Sequence, residues 1–327
     1  MILVTGGAGF IGSNLVAELD DRGDEIAVCD TLGRDQKWQN LRKRRLAAVI
    51  PPAGMFDWLR DNAGRVSAVV HMGAISATTA SDADLTVESN FTLSQRLWDW
   101  CTVHRVRFVY ASSAATYGDG ARGFVDDDSS AALAKLRPLN LYGWTKHLFD
   151  RRVAQLRDSG APSPPVWIGL KFFNVYGPNE YHKGDQKSVV AGLYPRVSAG
   201  EPARLFKSYL QGYADGGQLR DFVSVRDCCR VILWGLTAAT QSGVFNVGTG
   251  QARSFADLAR CVFAAIGREP VIEYIDMPES LRPRYQYFTR ADMTRLRAAG
   301  YTLPFQSLED GVRDYVTGYL GQPDPYR

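Results

Sequence analysis

Cysteine is scarce and scattered in this 327-residue chain. Cys29, Cys101, Cys228, Cys229 and Cys261 form neither the spaced pairs of a metal site nor an even framework. That excludes a disulfide scaffold and a structural zinc module, and it suits a reducing compartment. No uninterrupted apolar run approaches the ~20 residues of a membrane helix. The first strand is predicted to open at Ile2, leaving no room for a secretion signal. A net charge of +3 is too small to point to nucleic acid or membrane as partner. Internal repeats and low-complexity segments are missing. What remains is a soluble, cytosolic globular protein with no metal. One basic run stands out, "RKRR" at 42–45. A solvated face is its ordinary reading, and a nearby phosphate is the alternative.

What is present is a rhythm. "MILVT", "EIAVCD", "VSAVVH" and "VRFVYASS" are short, nearly continuous apolar runs, as buried parallel strands require. Amphipathic stretches such as "IGSNLVAELDDRG" and "LTVESNFTLSQRLWDWCTVH" separate them. "VWIGLKFFNVYG" reads as a further strand after the Pro-rich break "GAPSPP". Strands alternating with helices predict a Rossmann-like, doubly wound parallel sheet. After about residue 178 the loops lengthen and the helices shorten. We therefore expect a dinucleotide-binding core over 1–178, to which some later segments return. A smaller α/β substrate-binding subdomain is expected over 179–327.

"VTGGAGFIGSN" leaves the first strand and opens a helix. Gly6 permits the tight turn, Gly9 lets backbone approach a pyrophosphate, and Gly12 lets helix and strand pack closely. The helix N-terminus adds free N–H groups and a positive dipole end. Asp30, ending the second strand, suits adenosine ribose hydroxyls, which favours NAD. Arg34, Lys37 and "RKRR" follow it, and such cations would offset a 2′-phosphate, so the balance is for NADP, with NAD the alternative. "HMGAIS" ends the fourth strand where the cofactor should pass, giving Met72, Gly73, Ala74, Ile75 and Ser76 as contacts. Asn90 on the next helix is either a further contact or a helix hydrogen bond.

"YASSAATYG" ends a strand, and "YGWTK" opens a helix beyond it. Tyr142 and Lys146, four apart, share one helix face. The ammonium is expected to lower the phenol pKa, so that Tyr142 exchanges a proton with a carbinol near neutral pH. Lys146 can also hold the nicotinamide ribose. Ser113 can bond the same substrate oxygen, with Ser112 its competitor.

Together "TGGAGFIG", "YASSAATYG", "YGWTK" and "FFNVYGP" resemble the extended short-chain dehydrogenase/reductase family of nucleotide-sugar enzymes. "NVYGPNEYHKG", "LRDFVSVRD", "FNVGTG" and "RYQYFT" resemble more closely its branch of ADP-glycero-manno-heptose 6-epimerases. The similarity runs from Met1 to about Tyr315. It implies cofactor contacts also from Phe10, Ile11, Thr31, Val175 and Lys183. Substrate contacts are implied at Ser113, Asn174, Asp185, Phe206, Lys207, Arg220 and Tyr285, with Arg284 a possible further clamp. It implies an ADP-heptose substrate, a homo-oligomer whose best-known form is a pentamer, and a place in lipopolysaccharide core synthesis.

Lys183 needs a reason beyond Tyr142. An epimerase that borrows a hydride must return it to the opposite face of the same carbon. At an exocyclic carbon, rotation of the intermediate carries its carbonyl oxygen away from the first base. A second acid–base group must wait there, because hydrogen-bond reach is only about 3 Å. Lys183 fills that role if burial or a nearby cation lowers its pKa. The plain alternative is a cation paired with phosphate. Three departures qualify the resemblance, one being the lengthened loop "GYADGGQ" near the expected nucleotide end. Asp185 and Gln186 stand where the family usually has Ser-Met, and Pro52 falls where some members carry a cofactor-binding basic residue. Other readings are a UDP-hexose 4-epimerase-like enzyme, in which Tyr142 alone would suffice, and a dehydratase, for which "SSAATYG" lacks the acidic pair. A nucleotide-sensing binding protein would tend to lose Tyr142 or Lys146, and both are kept.

Overall fold

The computed structural model describes residues 1–34, 36–279, 281–282 and 285–327. Seven parallel strands form its main sheet: β1 (Ile2–Thr5), β2 (Ile26–Cys29), β3 (Ala48–Ile50), β4 (Ala68–His71), β5 (Arg107–Ser113), β6 (Trp167–Phe172) and β10 (Gly243–Val247). Their spatial order is β10-β6-β5-β4-β1-β2-β3, so the chain winds outward in both directions from β1. Strand β3 carries no long apolar run and escapes the sequence reading.

Both faces of the sheet are covered. On one, Leu15, Val16 and Leu19 of the helix Phe10–Asp21 meet Val231 and Ile232 of the helix Val225–Thr237 over Val4, Val28 and Val109. On the other, Leu97, Trp98 and Cys101 pack with Phe149 and Val153 against Leu3, Val69 and Phe108. This two-sided burial is why the strands read as unbroken apolar runs. All five cysteines are buried and free.

The single strand expected over "VWIGLKFFNVYG" is two. The chain leaves the main sheet after Phe172, and β7 (Asn174–Tyr176) joins β9 (Leu219–Ser224) and β11 (Ala252–Ser254) in a separate three-stranded sheet. Each half satisfies its backbone in a different sheet, which a continuous apolar run does not disclose. β8 (Ala203–Phe206) and β12 (Ile272–Ile275) pair beside it, and a third core built on Leu193, Val262 and Val312 fills this smaller part.

A charged pair lies inside the main core. Lys171 on β6 and Asp150 on the helix Leu141–Asp158 approach to 2.6 Å, with side chains 1% and 0% exposed. Asp150 also accepts from Tyr110 (3.1 Å) and Ser112 (2.7 Å) of β5, and Lys171 donates to Thr116 (2.6 Å). Removing one partner of such a pair leaves a buried charge uncompensated. Lys171→Met is expected to destabilise the protein by about 3–5 kcal/mol, read as a lower urea midpoint. An unchanged midpoint would show that the pair contributes nothing to the fold.

Candidate active site

A cleft of about 980 Å³ opens along the C-terminal ends of the parallel strands. At its phosphate end the turn after β1 puts Gly6 in the left-handed region (φ 66°). A Cβ there would stand 2.5 Å from the Gly73 nitrogen, and a Cβ on Gly12 would collide with the Gly6 carbonyl. The helix Phe10–Asp21 begins behind Gly9, which offers no side-chain cap. Gly6, Gly9, Phe10, Ile11 and Gly12 thus present bare backbone and a helix N-terminus to the cleft. This cradle fits a pyrophosphate.

Asp30, Thr31 and Lys37 line the next part. The Asp30 carboxylate accepts from the Ala8 N–H (2.8 Å) and from Lys37 Nζ (2.6 Å). The reservoir of cations expected beyond it is smaller than the sequence suggests. In "RKRR", Arg42 and Lys43 pair with Asp324 at 2.6 and 2.9 Å, while Arg44 and Arg45 pair with Asp20. Each cation of the run already has a carboxylate partner, so a phosphate is not needed to explain it.

Met72, Gly73, Ala74, Ile75 and Ser76 form the bed after β4, in reach of the cleft. Asn90 is different: fully buried, it accepts from the Ile75 N–H (2.8 Å) and donates to the Ile75 carbonyl and to Thr145 Oγ1. Those bonds use its amide in holding the bed to the helix Leu141–Asp158. His71, unassigned from sequence, sits beneath the bed. Ser94 donates its hydroxyl to the Asn90 carbonyl (2.7 Å), so His71 Nε2 must donate to Ser94 (2.9 Å), and Nδ1 accepts from Thr5 (2.6 Å). Burial, helped by the Lys146 charge, lowers His71 to about 3.

Ser113, Tyr142 and Lys146 converge on the cleft beside this bed. Asn140 caps the helix by accepting from Gly143 N–H at 2.8 Å, which fixes the turn that carries Tyr142. Ser113 Oγ accepts from the Ala115 N–H at 3.1 Å. The expected lowering of the phenol pKa does not occur here. Burial raises Tyr142, and the neighbouring Ser113 hydroxyl only partly opposes it. Lys146 is itself buried; burial lowers it to about 8, against the pull of Asp150. Asp150 continues the spacing of Tyr142 and Lys146 by another four residues. That repeat was the available signal for it.

Lys183 reaches the same cleft from the loop after β7, its Nζ 5.3 Å from the centre of the Phe10 ring. Burial lowers its pKa, and Glu180 opposes. Glu180, which sequence reasoning passed over, is fully buried and accepts from the Ser188 hydroxyl (2.6 Å) and N–H (2.5 Å). His182 Nδ1 lies 3.2 Å from the Asn40 amide. Asn174 and Val175 line the cleft from β7, and Asp185 and Gln186 lie exposed on its rim.

The remaining candidates form a neighbouring cluster rather than part of this lining. Arg220 is buried between the Phe255 and Tyr285 rings, 5.6 and 5.4 Å away, and donates to the Leu219 and Gln286 carbonyls. Phe206 meets Tyr285 edge-on at 6.4 Å, and Lys207 pairs with Asp276 at 3.1 Å. Phe255 links this cluster to the cleft, whose wall it shares. Arg284 lies outside the described residues. Among the described residues no His/Cys/Asp/Glu group could hold a metal, and no helix is long and apolar enough to cross a membrane.

Residues 2–248 match the family model of the NAD dependent epimerase/dehydratase family. The chain belongs to that family. A nicotinamide cofactor therefore goes with this epimerase/dehydratase. A curated relative, the ADP-L-glycero-D-manno-heptose-6-epimerase of Nitratidesulfovibrio vulgaris (strain DP4), is 50% identical with both chains covered in full. The crystal structure of the Helicobacter pylori ADP-L-glycero-D-manno-heptose-6-epimerase is 28% identical with a TM-score of 0.79, covering 97% of this chain and 95% of that one. Thermus thermophilus UDP-glucose 4-epimerase, in complex with NAD, is also 28% identical, with a TM-score of 0.73 and 96% and 97% coverage.

His71 and His147, both buried and held well below the usual imidazole value (about 3 and about 4), make the fold acid-sensitive. Below the ordinary histidine pKa the unfolded chain binds protons that the folded chain refuses, so stability is full at neutral pH and falls on acidification. The expected slope is roughly 1.4 kcal/mol per pH unit per histidine between about pH 6 and pH 4.5, by urea unfolding. His147→Gln should remove about half of it. A flat profile would mean the histidines titrate freely in the folded protein.

Proposed function

We propose that the protein inverts C6″ of ADP-D-glycero-β-D-manno-heptose, giving ADP-L-glycero-β-D-manno-heptose, with Tyr142 and Lys183 as two acid–base groups. The observation that carries this reading is that both side chains reach one cleft from separate elements, Tyr142 from a capped helix and Lys183 from the loop after β7. The 50% identity to a full-length relative of that name supports the substrate.

The bound nicotinamide supplies a hydride acceptor and then a hydride donor. The chain's own residues manage the proton and the geometry. Burial moves Tyr142 up and Lys183 down, so it favours the uncharged form of each. An uncharged phenol is a proton donor, and an amine whose pKa is lowered gives up its proton more readily, so burial moves the two toward complementary roles. One takes the proton from the C6″ hydroxyl. After the ketone turns about its bond to the ring, the other gives a proton to the oxygen in its new position, and a proton passed through solvent from the first group to the second restores the starting state. Ser113 holds that oxygen near Tyr142, and Lys146 holds the nicotinamide ribose. Arg220 and Lys207 suit the diphosphate, and Asn174, Phe206, Tyr285 and Asp185 the rest of the nucleotide sugar.

The cofactor of this reading is NADP, with Lys37 placed against Asp30 to offset a 2′-phosphate. The pyrophosphate would rest on Gly6, Gly9, Phe10, Ile11 and Gly12, and the remainder on Thr31, residues 72–76, Val175 and Lys183. A cytosolic homo-oligomer, pentameric as in the family, feeding lipopolysaccharide core assembly completes the proposal. In it residues 179–327 mainly bind substrate.

Purified protein given ADP-D-glycero-D-manno-heptose should convert it to the L-glycero epimer without added cofactor, followed by proton NMR at C6″. Lys183→Met should keep its cofactor and lose at least about 10²-fold in turnover. Conversion that survives this substitution would favour a single-base epimerase of the UDP-hexose 4-epimerase kind. Failure of the cofactor-loaded protein to convert the substrate at all would point to another sugar nucleotide, with Asp185 and Gln186 as the reason.

Lys37→Ala should shift the nucleotide released on denaturation toward NAD by about tenfold, roughly 1.4 kcal/mol of preference. An unchanged NADP:NAD ratio would remove Lys37 from cofactor selection.

A further inference from the structure

We infer that the C-terminal residues Asp324–Arg327 are positioning residues for Lys183, strapping its loop to the nucleotide-binding core. This rests on the reading of Lys183 as an acid–base group.

The loop itself is poorly built to hold a side chain still. It is a run of 3-10 turns over Tyr181–Gln186 broken at Gly184, whose φ of 55° is non-helical, and Gly184 to Lys187 are exposed. Order has to come from its start, and there the tail meets it. The Tyr181 hydroxyl donates to the Pro325 carbonyl at 2.8 Å, and the Tyr181 and Tyr326 rings pack edge-on at 5.2 Å. The Arg327 N–H donates to Asn179 Oδ1 at 2.9 Å. Asn179 is fully buried in a left-handed conformation (φ 70°) and donates in turn to Ser13. A non-glycine residue in that region is held by its surroundings, and the tail supplies part of them.

The tail is anchored at its other side. The Arg327 guanidinium pairs with Glu18 on the helix Phe10–Asp21, the helix whose first turn carries Phe10, over which Lys183 lies. Asp324 takes both Arg42 and Lys43, and Lys43 also donates to the Tyr326 carbonyl. The basic run at 42–45 thus receives half of its explanation: its first two charges hold the strap. Asn40, just before that run, donates to the Asn179 carbonyl and lies against His182, so core, tail and loop meet around one residue pair.

The cofactor-loaded protein tests this with Arg327→Ala and Tyr326→Ala in one chain, beside Arg327→Lys alone. Amide hydrogen exchange over residues 180–187 should quicken by about tenfold or more in the double variant, with exchange in β1 and β4 unchanged. Turnover should fall by about 10- to 100-fold, with KM held within about threefold and cofactor content intact, since misplacing a reacting group weakens the chemical step rather than binding. Arg327→Lys keeps a cation for Glu18 and should recover most of the turnover. Unchanged exchange in the loop would overturn the strap, and faster exchange with normal turnover would overturn its role in positioning. If Lys183→Met turns over normally, the two-base reading is what fails, and the exchange measurement alone then decides whether the tail holds the loop.

Discussion

One buried carboxylate holds the floor of the cleft in shape. Asp150 takes hydrogen bonds from Tyr110 and Ser112 on one strand and Lys171 on the next, from a helix that also carries Tyr142 and Lys146. Three elements that could slide past one another are therefore tied at a single point. A hydrophobic contact of the same area would tolerate many registers, whereas a fully bonded carboxylate accepts one. Its charge also reaches Lys146, where it resists the loss of the proton that burial promotes. Packing and chemistry here share an atom.

Burial acts on the site in one consistent direction. It lowers Lys146, Lys183 and His71 and raises Tyr142, in each case toward the neutral form. Desolvation of the phenol, rather than the Lys146 charge that spacing alone suggests, sets the direction for Tyr142. The neutral His71, fixed in one tautomer between Thr5 and Ser94, serves the same end: it supports the cofactor bed without adding a cation beside Lys146.

The doubly wound sheet was legible because its strands are buried on both faces, and an unbroken apolar run is what such a strand must be. The glycine turn was legible because Gly6 and Gly12 answer steric demands that other residues cannot meet. Lys183 could be singled out only with the family resemblance, since its residue type and loop alone favoured a phosphate-pairing cation, and the structure brings it to the Tyr142 cleft. What stayed hidden depends on contacts between distant parts of the chain. The division of 166–177 between two sheets, the pairing of residues 42–43 with Asp324 and the engagement of Asn90 with Ile75 leave no periodic trace. Glu180 was concealed differently: a carboxylate in a polar loop looks solvated until its burial is seen.

The order of the strands has a consequence for how the chain is made. β10 closes the main sheet against β6, yet about seventy residues of other structure separate the two in sequence. Until residue 247 has left the ribosome, β6 is an open edge with unpaired N–H and C=O groups and the apolar side chains of Trp167, Ile168 and Leu170 beside them. Such an edge recruits strands from other chains as readily as its own. The two parts of the molecule are thus interleaved in synthesis as well as in space: β7, β8 and β9 of the smaller part are made before β10 seals the larger, and β11 and β12 after it.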